Sequence, residues 1–107
     1  MAKFEVYSDK KGEFRFRLKA GNGQIIITGQ GYKAKASCMN GIESIKNNCQ
    51  DDGMFERLTA KNGKSYFNLK STNGQVIGAS QMYASNSGVE NGIASVRKNA
   101  PIAEIIE

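Results

Sequence analysis

Apolar and polar side chains alternate along residues 12–20, G-E-F-R-F-R-L-K-A. A period of two is typical of a β-strand, because successive side chains of a strand point to opposite faces. One face of this predicted strand is apolar and the other is basic. The apolar face carries Phe14, Phe16 and Leu18, and the basic face carries Arg15, Arg17 and Lys19. We therefore expect a sheet with one face on the core and one face toward solvent.

A hairpin is predicted directly after this strand. Asn22-Gly23 is a turn signal, because both residues tolerate the positive φ of a type I′ turn. Residues 24–30, Q-I-I-I-T-G-Q, then form the return strand. A two-residue loop would fix two cross-strand pairs, Leu18 with Ile27 and Lys19 with Ile26.

The period changes to that of a helix after Tyr32. One apolar stripe with spacings of 4, 3 and 4 lies at Cys38, Ile42, Ile45 and Cys49. A second stripe with the same spacing lies 51 residues later, at Val89, Ile93, Val96 and Ala100. Ser37 or a neighbouring residue is expected to cap the first helix, and Pro101 is expected to end the second.

The chain repeats itself with a shift of 51 residues and no gap. Between positions 4 and 48, 18 of the 45 aligned pairs are identical. We interpret residues 1–107 as a single domain of two tandem repeats, with repeat one at about 3–53 and repeat two at about 54–107. Units this small are near the lower limit of independent folding, so we expect them to share a core about a pseudo-two-fold axis.

Each repeat has the predicted order β-β-β-α, and a strand-like segment follows each helix, M-F-E-R-L-T-A and A-E-I-I-E. This order predicts an α+β fold. We expect the tandem β-β-β-α repeats to form one antiparallel sheet with two helices packed on one face.

Several segments resemble the duplicated form of the YegP-like family. They are G-E-F-R-F-R-L-K-A followed by N-G-Q, S-C followed by N-G-I-E-S-I-K-N, then N-G-Q-V-I-G and N-G-I-A-S-V-R-K-N-A-P. The resemblance covers nearly the whole chain. It implies two repeats that form one sheet and exchange their closing strands. The family supplies no agreed activity, substrate or catalytic residue, so the resemblance bears on the fold and leaves the function open.

Composition narrows the possible functions. The 15 Lys and Arg exceed the 10 Asp and Glu, which gives a formal net charge of +5. A basic surface attracts nucleic acid phosphates, but a net charge also keeps a protein soluble. The chain has no His, which removes His-based acid–base catalysis and most zinc sites. No apolar run approaches the ~20 residues of a membrane span, and the first residues lack the apolar stretch of a signal peptide.

Cysteines and carboxylates are weaker candidates for chemistry. Cys38 and Cys49 would lie about 16 Å apart on one helix, too far for a disulfide. Their repeat equivalents are Val89 and Ala100, which favours packing, although a thiol near a helix N-terminus can be reactive. Unbridged thiols fit a reducing cytoplasm. The adjacent acids Asp51-Asp52 could bind a metal, but a solvated linker is the simpler interpretation.

The basic strand face is the best candidate site. Its candidate nucleic-acid or anion contacts are Arg15, Arg17, Lys19, Lys33, Lys35, Tyr66 and Lys70. Cations beside an aromatic ring suit a phosphate backbone and a stacked base. Two alternatives stay open: a merely solvated polar face, and an edge strand that recruits a partner chain.

Three classes of function follow, in order of preference. The first is a cytoplasmic, non-catalytic binding or interaction module, monomeric with an internal pseudo-dimer, whose partner is a protein or an anionic polymer. The second is nucleic-acid binding through the basic face, and the third, more remote, is an enzyme. No cofactor, metal or membrane association is expected.

Overall fold

The computed structural model describes the whole chain, Met1–Glu107. Strands and helices follow one another in the predicted order. Unit one consists of β1 (Lys3–Ser8), β2 (Phe14–Lys19), β3 (Ile25–Thr28) and α1 (Lys35–Asn48). Unit two consists of β4 (Phe55–Thr59), β5 (Ser65–Lys70), β6 (Val76–Ser80), α2 (Asn86–Asn99) and the closing strand β7 (Glu104–Ile106). A single 3-10 turn follows each helix, at Asp52–Met54 and Ala100–Ile102.

All seven strands belong to one sheet, in the order β4-β5-β6-β3-β2-β1-β7. The units meet where β3 pairs with β6, and there Thr28 lies opposite its repeat equivalent Ala79, on the pseudo-two-fold axis. Neighbouring strands are antiparallel except for β1 and β7, which run parallel. The expectation of a wholly antiparallel sheet is therefore corrected at one edge. A hairpin forces its strands antiparallel, but β7 reaches β1 from a helix of the other unit.

The first hairpin differs from its predicted geometry by one residue. Leu18 lies opposite Ile27 as expected, but Lys19 lies opposite Ile25 because a bulge follows Leu18. Only Gly23 has a positive φ, 85°, and the Gly23 N–H donates to the Ala20 carbonyl at 2.9 Å. The loop is thus a longer turn closed by a left-handed glycine, rather than a two-residue type I′ turn.

The helices bury the two predicted stripes against the sheet. Phe4, Phe16, Phe55 and Phe67 form the aromatic part of this core. Phe4 and Phe16 pack edge-to-face with ring centroids 5.9 Å apart, and the equivalent rings of unit two lie 5.8 Å apart. The two units therefore repeat the same core packing, and one cluster of buried side chains joins them.

The starts of the helices differ. Ala34 precedes α1 and provides no side-chain cap, so the predicted cap at Ser37 is wrong. At the equivalent position before α2, the Ser85 side chain accepts a hydrogen bond from the Gly88 N–H. Ser85 replaces Ala34 in the repeat, and its side-chain oxygen can accept from the free N–H groups of the first turn, whereas the alanine methyl cannot.

Both helices carry a glycine where they cross a tyrosine. A Cβ atom on Gly41 would lie 2.6 Å from the Tyr32 hydroxyl oxygen, and one on Gly92 would lie 2.5 Å from the Tyr83 hydroxyl oxygen. Real Cβ atoms do not approach other atoms so closely. The glycines therefore let each helix lie directly on the tyrosine that precedes it, at a cost of about 1 kcal/mol in helix propensity.

The chain follows a different path after each of the two helices. After α2 the chain crosses to unit one and adds β7 beside β1. After α1 it passes through the 3-10 turn Asp52–Met54 into β4, so residues 53–55, the repeat equivalent of β7, connect the units and open unit two. Neither helix is long and apolar enough to span a membrane.

Candidate interaction surface

The side of the sheet opposite the helices carries no covering layer, and we call it the open face. Cross-strand pairing places a continuous row of side chains on it from β4 to β7. The row consists of Glu56, Asn68, Ala79, Thr28, Arg17, Glu5 and Ile106. The open face therefore spans both units, and its character changes from one unit to the other.

In unit one, the predicted cations face carboxylates on the neighbouring strand and turn. Arg15 Nε donates to Asp9 at 2.8 Å and Arg17 Nε donates to Glu5 at 2.8 Å. Lys19 Nζ lies 3.2 Å from the same Glu5 carboxylate. These hydrogen bonds hold the pKa of Glu5 and of Asp9 below the usual values. The cations that the sequence places on β2 thus form a network of ion pairs with these carboxylates.

The two predicted cations near the start of α1 lie outside this network of ion pairs. Lys33 is exposed in the loop before α1, and Lys35 is the first residue of that helix. The Lys35 ammonium pairs with the Glu107 carboxylate just beyond β7. The structure therefore does not bring Lys33 and Lys35 together with the cations of β2.

The unit-two half of the open face is mostly uncharged. Lys70 pairs with Glu56 at 3.0 Å, which repeats the pairing of Lys19 with Glu5. Beyond this pair, Tyr66 lies opposite Leu58 and Val76 lies opposite Lys70. These three uncharged side chains are half-buried on the open face. Sequence reasoning found Tyr66 but missed Leu58 beside it and Val76 at the other end of β5, because the face of each side chain is set by strand register.

The two edges of the sheet also differ. On one side β7 covers β1, with Ile105 opposite Phe4. On the other side β4 has only β5 as a neighbour, so one row of its backbone groups faces away from the sheet. Next to this edge lies a shallow groove between β4, β5 and α2, lined by Leu58, Tyr66 and Val89 among others.

A charged cluster stands at the helix side of the β4 edge. Arg57 donates to Glu90 of α2 through Nε at 2.6 Å, and to Asp52 through a terminal nitrogen at 2.9 Å. The Arg57 guanidinium lowers the pKa of both carboxyls below the usual values. Its repeat equivalent is Val6, so unit two has a charged group where unit one has an aliphatic one. Charged side chains on an edge strand discourage uncontrolled pairing with other strands.

Both thiols are buried in the core, as the repeat predicted. Cys38 and Cys49 are free and fully inaccessible. Burial raises the pKa of each thiol above its ordinary value, which keeps both in the poorly nucleophilic neutral form. Asp51, one of the candidate metal ligands, accepts a hydrogen bond from the Gly53 N–H and Asp52 binds Arg57. No three acidic or thiol side chains converge on a common point.

The fold and surface define a duplicated α+β protein: one sheet from two repeats, helices on one face, and a mixed polar and apolar open face. The sequence profile described as domain of unknown function (DUF1508) matches the chain twice, at residues 9–56 and 60–107. The chain belongs to this family, which also carries the names UPF0339 and YegP. The twofold match confirms the duplication and the family resemblance.

Relatives with similar sequences span nearly the whole chain. The UPF0339 protein in the ptx operon 5′ region of Stutzerimonas stutzeri is 53% identical over 104 residues, covering 97% of this chain and 94% of the relative. The UPF0339 protein YegP of Escherichia coli O157:H7 is 50% identical over 96 residues, covering 90% and 87%. These relatives place the chain in a family of unknown function.

Solved structures support the same architecture. The solution structure of the protein of unknown function yegP from E. coli has a TM-score of 0.94 and 45% identity, covering 98% of this chain and 90% of that chain. The solution structure of UPF0339 protein SO3888 from Shewanella oneidensis has a TM-score of 0.92 and 43% identity, covering 98% and 89%. The predicted α+β fold of two repeats is confirmed.

Proposed function

We propose that this protein is a non-catalytic interaction module that binds a protein partner in the cytoplasm through the unit-two half of its open face. One observation carries the proposal. Leu58, Tyr66 and Val76 are uncharged side chains on a sheet face that no helix covers. Of the equivalent residues of unit one, Tyr7, Arg15 and Ile25, the middle one is a cation that pairs with Asp9, and the Arg17 guanidinium covers the Tyr7 ring at 4.7 Å. Aromatic and aliphatic side chains enclosed by polar ones are the usual composition of a protein-binding site.

The ionisation of the chain's reactive groups supports a binding role. A general acid at neutral pH needs a carboxyl whose pKa is raised. Here the resolved carboxyl shifts are downward, as for Glu56 beside Lys70 and Glu90 beside Arg57. The buried thiols have raised pKa values instead of the lowered ones that nucleophilic cysteines need. Free thiols also suit a reducing compartment such as the cytoplasm.

The repeat offers a matched experiment. Leu58→Glu with Val76→Glu adds two charges to the unit-two half, and Tyr7→Glu with Ile25→Glu adds two at the equivalent positions of unit one. Each tagged variant is used to capture partners from the cytoplasm of the source cell, and the captured proteins are quantified against wild type. We expect the unit-two pair to lose a partner that the unit-one pair keeps. Equal retention by both pairs, or equal loss, would contradict the proposal.

Nucleic-acid binding by the unit-one half is the second candidate, and one observation favours it. Glu5 is shared by three cations, since Lys3, Arg17 and Lys19 all lie within 4 Å of its carboxylate. The cluster therefore keeps a net positive charge despite its pairing. Fluorescence polarisation with random single- and double-stranded DNA and RNA at two salt concentrations tests this. The candidate requires salt-sensitive binding that weakens in the triple variant Arg15→Ala, Arg17→Ala, Lys19→Ala.

A further inference from the structure

The molecule contains its own example of strand addition at a sheet edge. The closing strand β7 lies parallel to β1, with Glu104 opposite Lys3, Ile105 opposite Phe4 and Ile106 opposite Glu5. The Glu104 N–H donates to the Ala2 carbonyl at 3.3 Å. Ile105 is half-buried and packs against the core beside Phe4. A three-residue segment delivered from the other unit thus completes the edge of unit one.

The equivalent edge of unit two is incomplete. β4 is the repeat equivalent of β1, and it has no strand on its outer side. The cause is the covalent duplication. The repeat equivalent of β7 is residues 53–55, which form the end of the 3-10 turn and the first residue of β4, and so cannot also lie beside that strand. One chain therefore holds two opening strands, β1 and β4, but only one separate closing strand.

The backbone groups on this edge are identified by the hairpin that joins β4 to β5. The Ala60 N–H donates to the Lys64 carbonyl at 2.8 Å, so Ala60 belongs to a hydrogen-bonded pair. Because bonding alternates along an antiparallel strand, Leu58 and Glu56 also bond to β5, and Arg57 and Thr59 direct their N–H and C=O groups outward. The outward N–H of Arg57 is the equivalent of the Val6 N–H beside β7.

The core residues beside the β4 edge pack as their equivalents do in unit one. Phe55 packs edge-to-face on Phe67 as Phe4 packs on Phe16. Phe55 keeps 6% of its surface exposed, whereas Phe4, which β7 covers, is fully buried. An incoming residue beside Phe55 would cover this remaining surface as Ile105 covers Phe4.

We propose that the β4 edge is an acceptor site for an extended segment of a partner protein, which adds parallel to β4 with an aliphatic side chain beside Phe55. This deepens the proposed function and rests on it, because Leu58 of the same strand belongs to the open face. The site also sets the residues that flank the aliphatic one. Met54 replaces Lys3 and removes the cation that faces Glu104 in unit one, so an uncharged residue suits that position better than an acidic one.

Arg57 limits which segments can bind at the β4 edge. It stands where unit one has Val6, and its bonds to Glu90 and Asp52 hold a charged group against the helix side of the incoming strand. A segment that binds here must pack its backbone along Arg57 while leaving those ion pairs hydrated. Replacing Arg57 with valine makes this part of the edge like unit one, and replacing it with proline removes the outward N–H without removing a bond to β5.

The test uses a peptide with the sequence of residues 100–107 carrying Glu104→Gln, which removes the acidic residue from the position beside Met54, and a control peptide that also carries Ile105→Asp. Amide hydrogen exchange and chemical shifts are followed by NMR on the full chain, since the tethered β7 occupies β1 and leaves the β4 edge for the free peptide. We expect the first peptide to shift and protect the Arg57 amide, and the control peptide to do neither. In the register of β7, the Arg57 N–H would meet the carbonyl of peptide residue 106, and Thr59 lies beyond the end of the peptide. Arg57→Val should bind roughly five-fold more tightly, and Arg57→Pro should lose binding while both variants keep a cooperative thermal transition.

Three results would overturn the inference. The peptide could leave the β4 amides unprotected even in Arg57→Val, or it could displace β7 and shift β1 instead. A dimer that forms with rising concentration and disappears in Arg57→Pro would show that a second copy occupies the edge.

Failure of this inference can be told apart from failure of the proposed function. If β4 stays unprotected while Leu58→Glu with Val76→Glu still loses the captured partner, only this inference fails. If that pair keeps the partner too, the proposed function fails with it.

Discussion

The two units share a core and differ in what surrounds it. Unit one has its opening strand covered by β7 and three cations of its open face paired with carboxylates, whereas unit two has a bare edge and an open face with one ion pair, Lys70 with Glu56. Phe4 and Phe55 pack in the same way within their own units, but β7 covers only Phe4. Duplication thus preserved the packing that stability needs and left the second surface free to diverge. That contrast is the basis for assigning binding to unit two.

The largest expected effect comes from the paired phenylalanines. Phe4→Ala should lower the free energy of unfolding by about 4 kcal/mol, and Phe55→Ala by about 3 kcal/mol, since both leave a cavity. Phe4 should cost more because Ile105 covers it and the Lys46 ammonium lies 5.9 Å from its ring centre. Urea unfolding with an unchanged m-value measures both. A larger loss for Phe55→Ala would break the comparison.

A smaller effect is expected where each helix crosses its tyrosine. Gly92→Ala normally favours a helix by about 1 kcal/mol, but here the new methyl would collide with Tyr83 and Phe67. We expect a net destabilisation of about 1–2 kcal/mol by thermal or urea unfolding. Removing the nearest atom with Tyr83→Phe should recover part of the loss in the double variant. Stabilisation by Gly92→Ala alone would contradict the close packing, and Gly41→Ala provides the matched measurement in unit one.

The surface ion pairs should have the smallest effect. Glu90→Gln is expected to cost at most about 1 kcal/mol, because its pair with Arg57 is exposed to solvent. The carboxyl pKa of Glu90, and that of Glu5, is lower in the fold than its ordinary 4.5. Their contribution to stability is therefore present above pH 4.5 and is lost as the pH falls through the lowered values. Unfolding measured between pH 3 and pH 7, at low and at high salt, checks this expectation. A protein that becomes more stable on acidification would contradict it.

The sequence contained most of the fold. The helical stripes predicted the buried faces of α1 and α2, and the repeat predicted that they would pack on one sheet, because periodicity and internal identity are local properties of the chain. The parallel pairing of β7 with β1 could not be read the same way. It depends on where a helix of one unit delivers the chain in the other, and no local pattern encodes that position.

The candidate site was predicted less well, for a related reason. Arg15, Arg17 and Lys19 were identified correctly as one face of a strand, but their neutralising partners Glu5 and Asp9 lie on a different element. Which carboxylate meets which cation depends on strand register. A cross-strand check of Glu5 against the β2 cations would have exposed the pairing, because Glu5 and Lys19 recur together in unit two as Glu56 and Lys70.

Amide hydrogen exchange of the free protein tests the central claim most directly. The bond from Glu104 to Ala2 begins a parallel ladder that, continued, places the Val6 N–H opposite the Ile106 carbonyl. The Arg57 N–H, its repeat equivalent, faces outward from β4 with no strand beside it. The account predicts slow exchange at Val6 and exchange faster by at least about a hundredfold at Arg57, since unpaired edge amides lack ladder protection. Equal protection at both amides would show that the β4 edge is already occupied and would contradict the account.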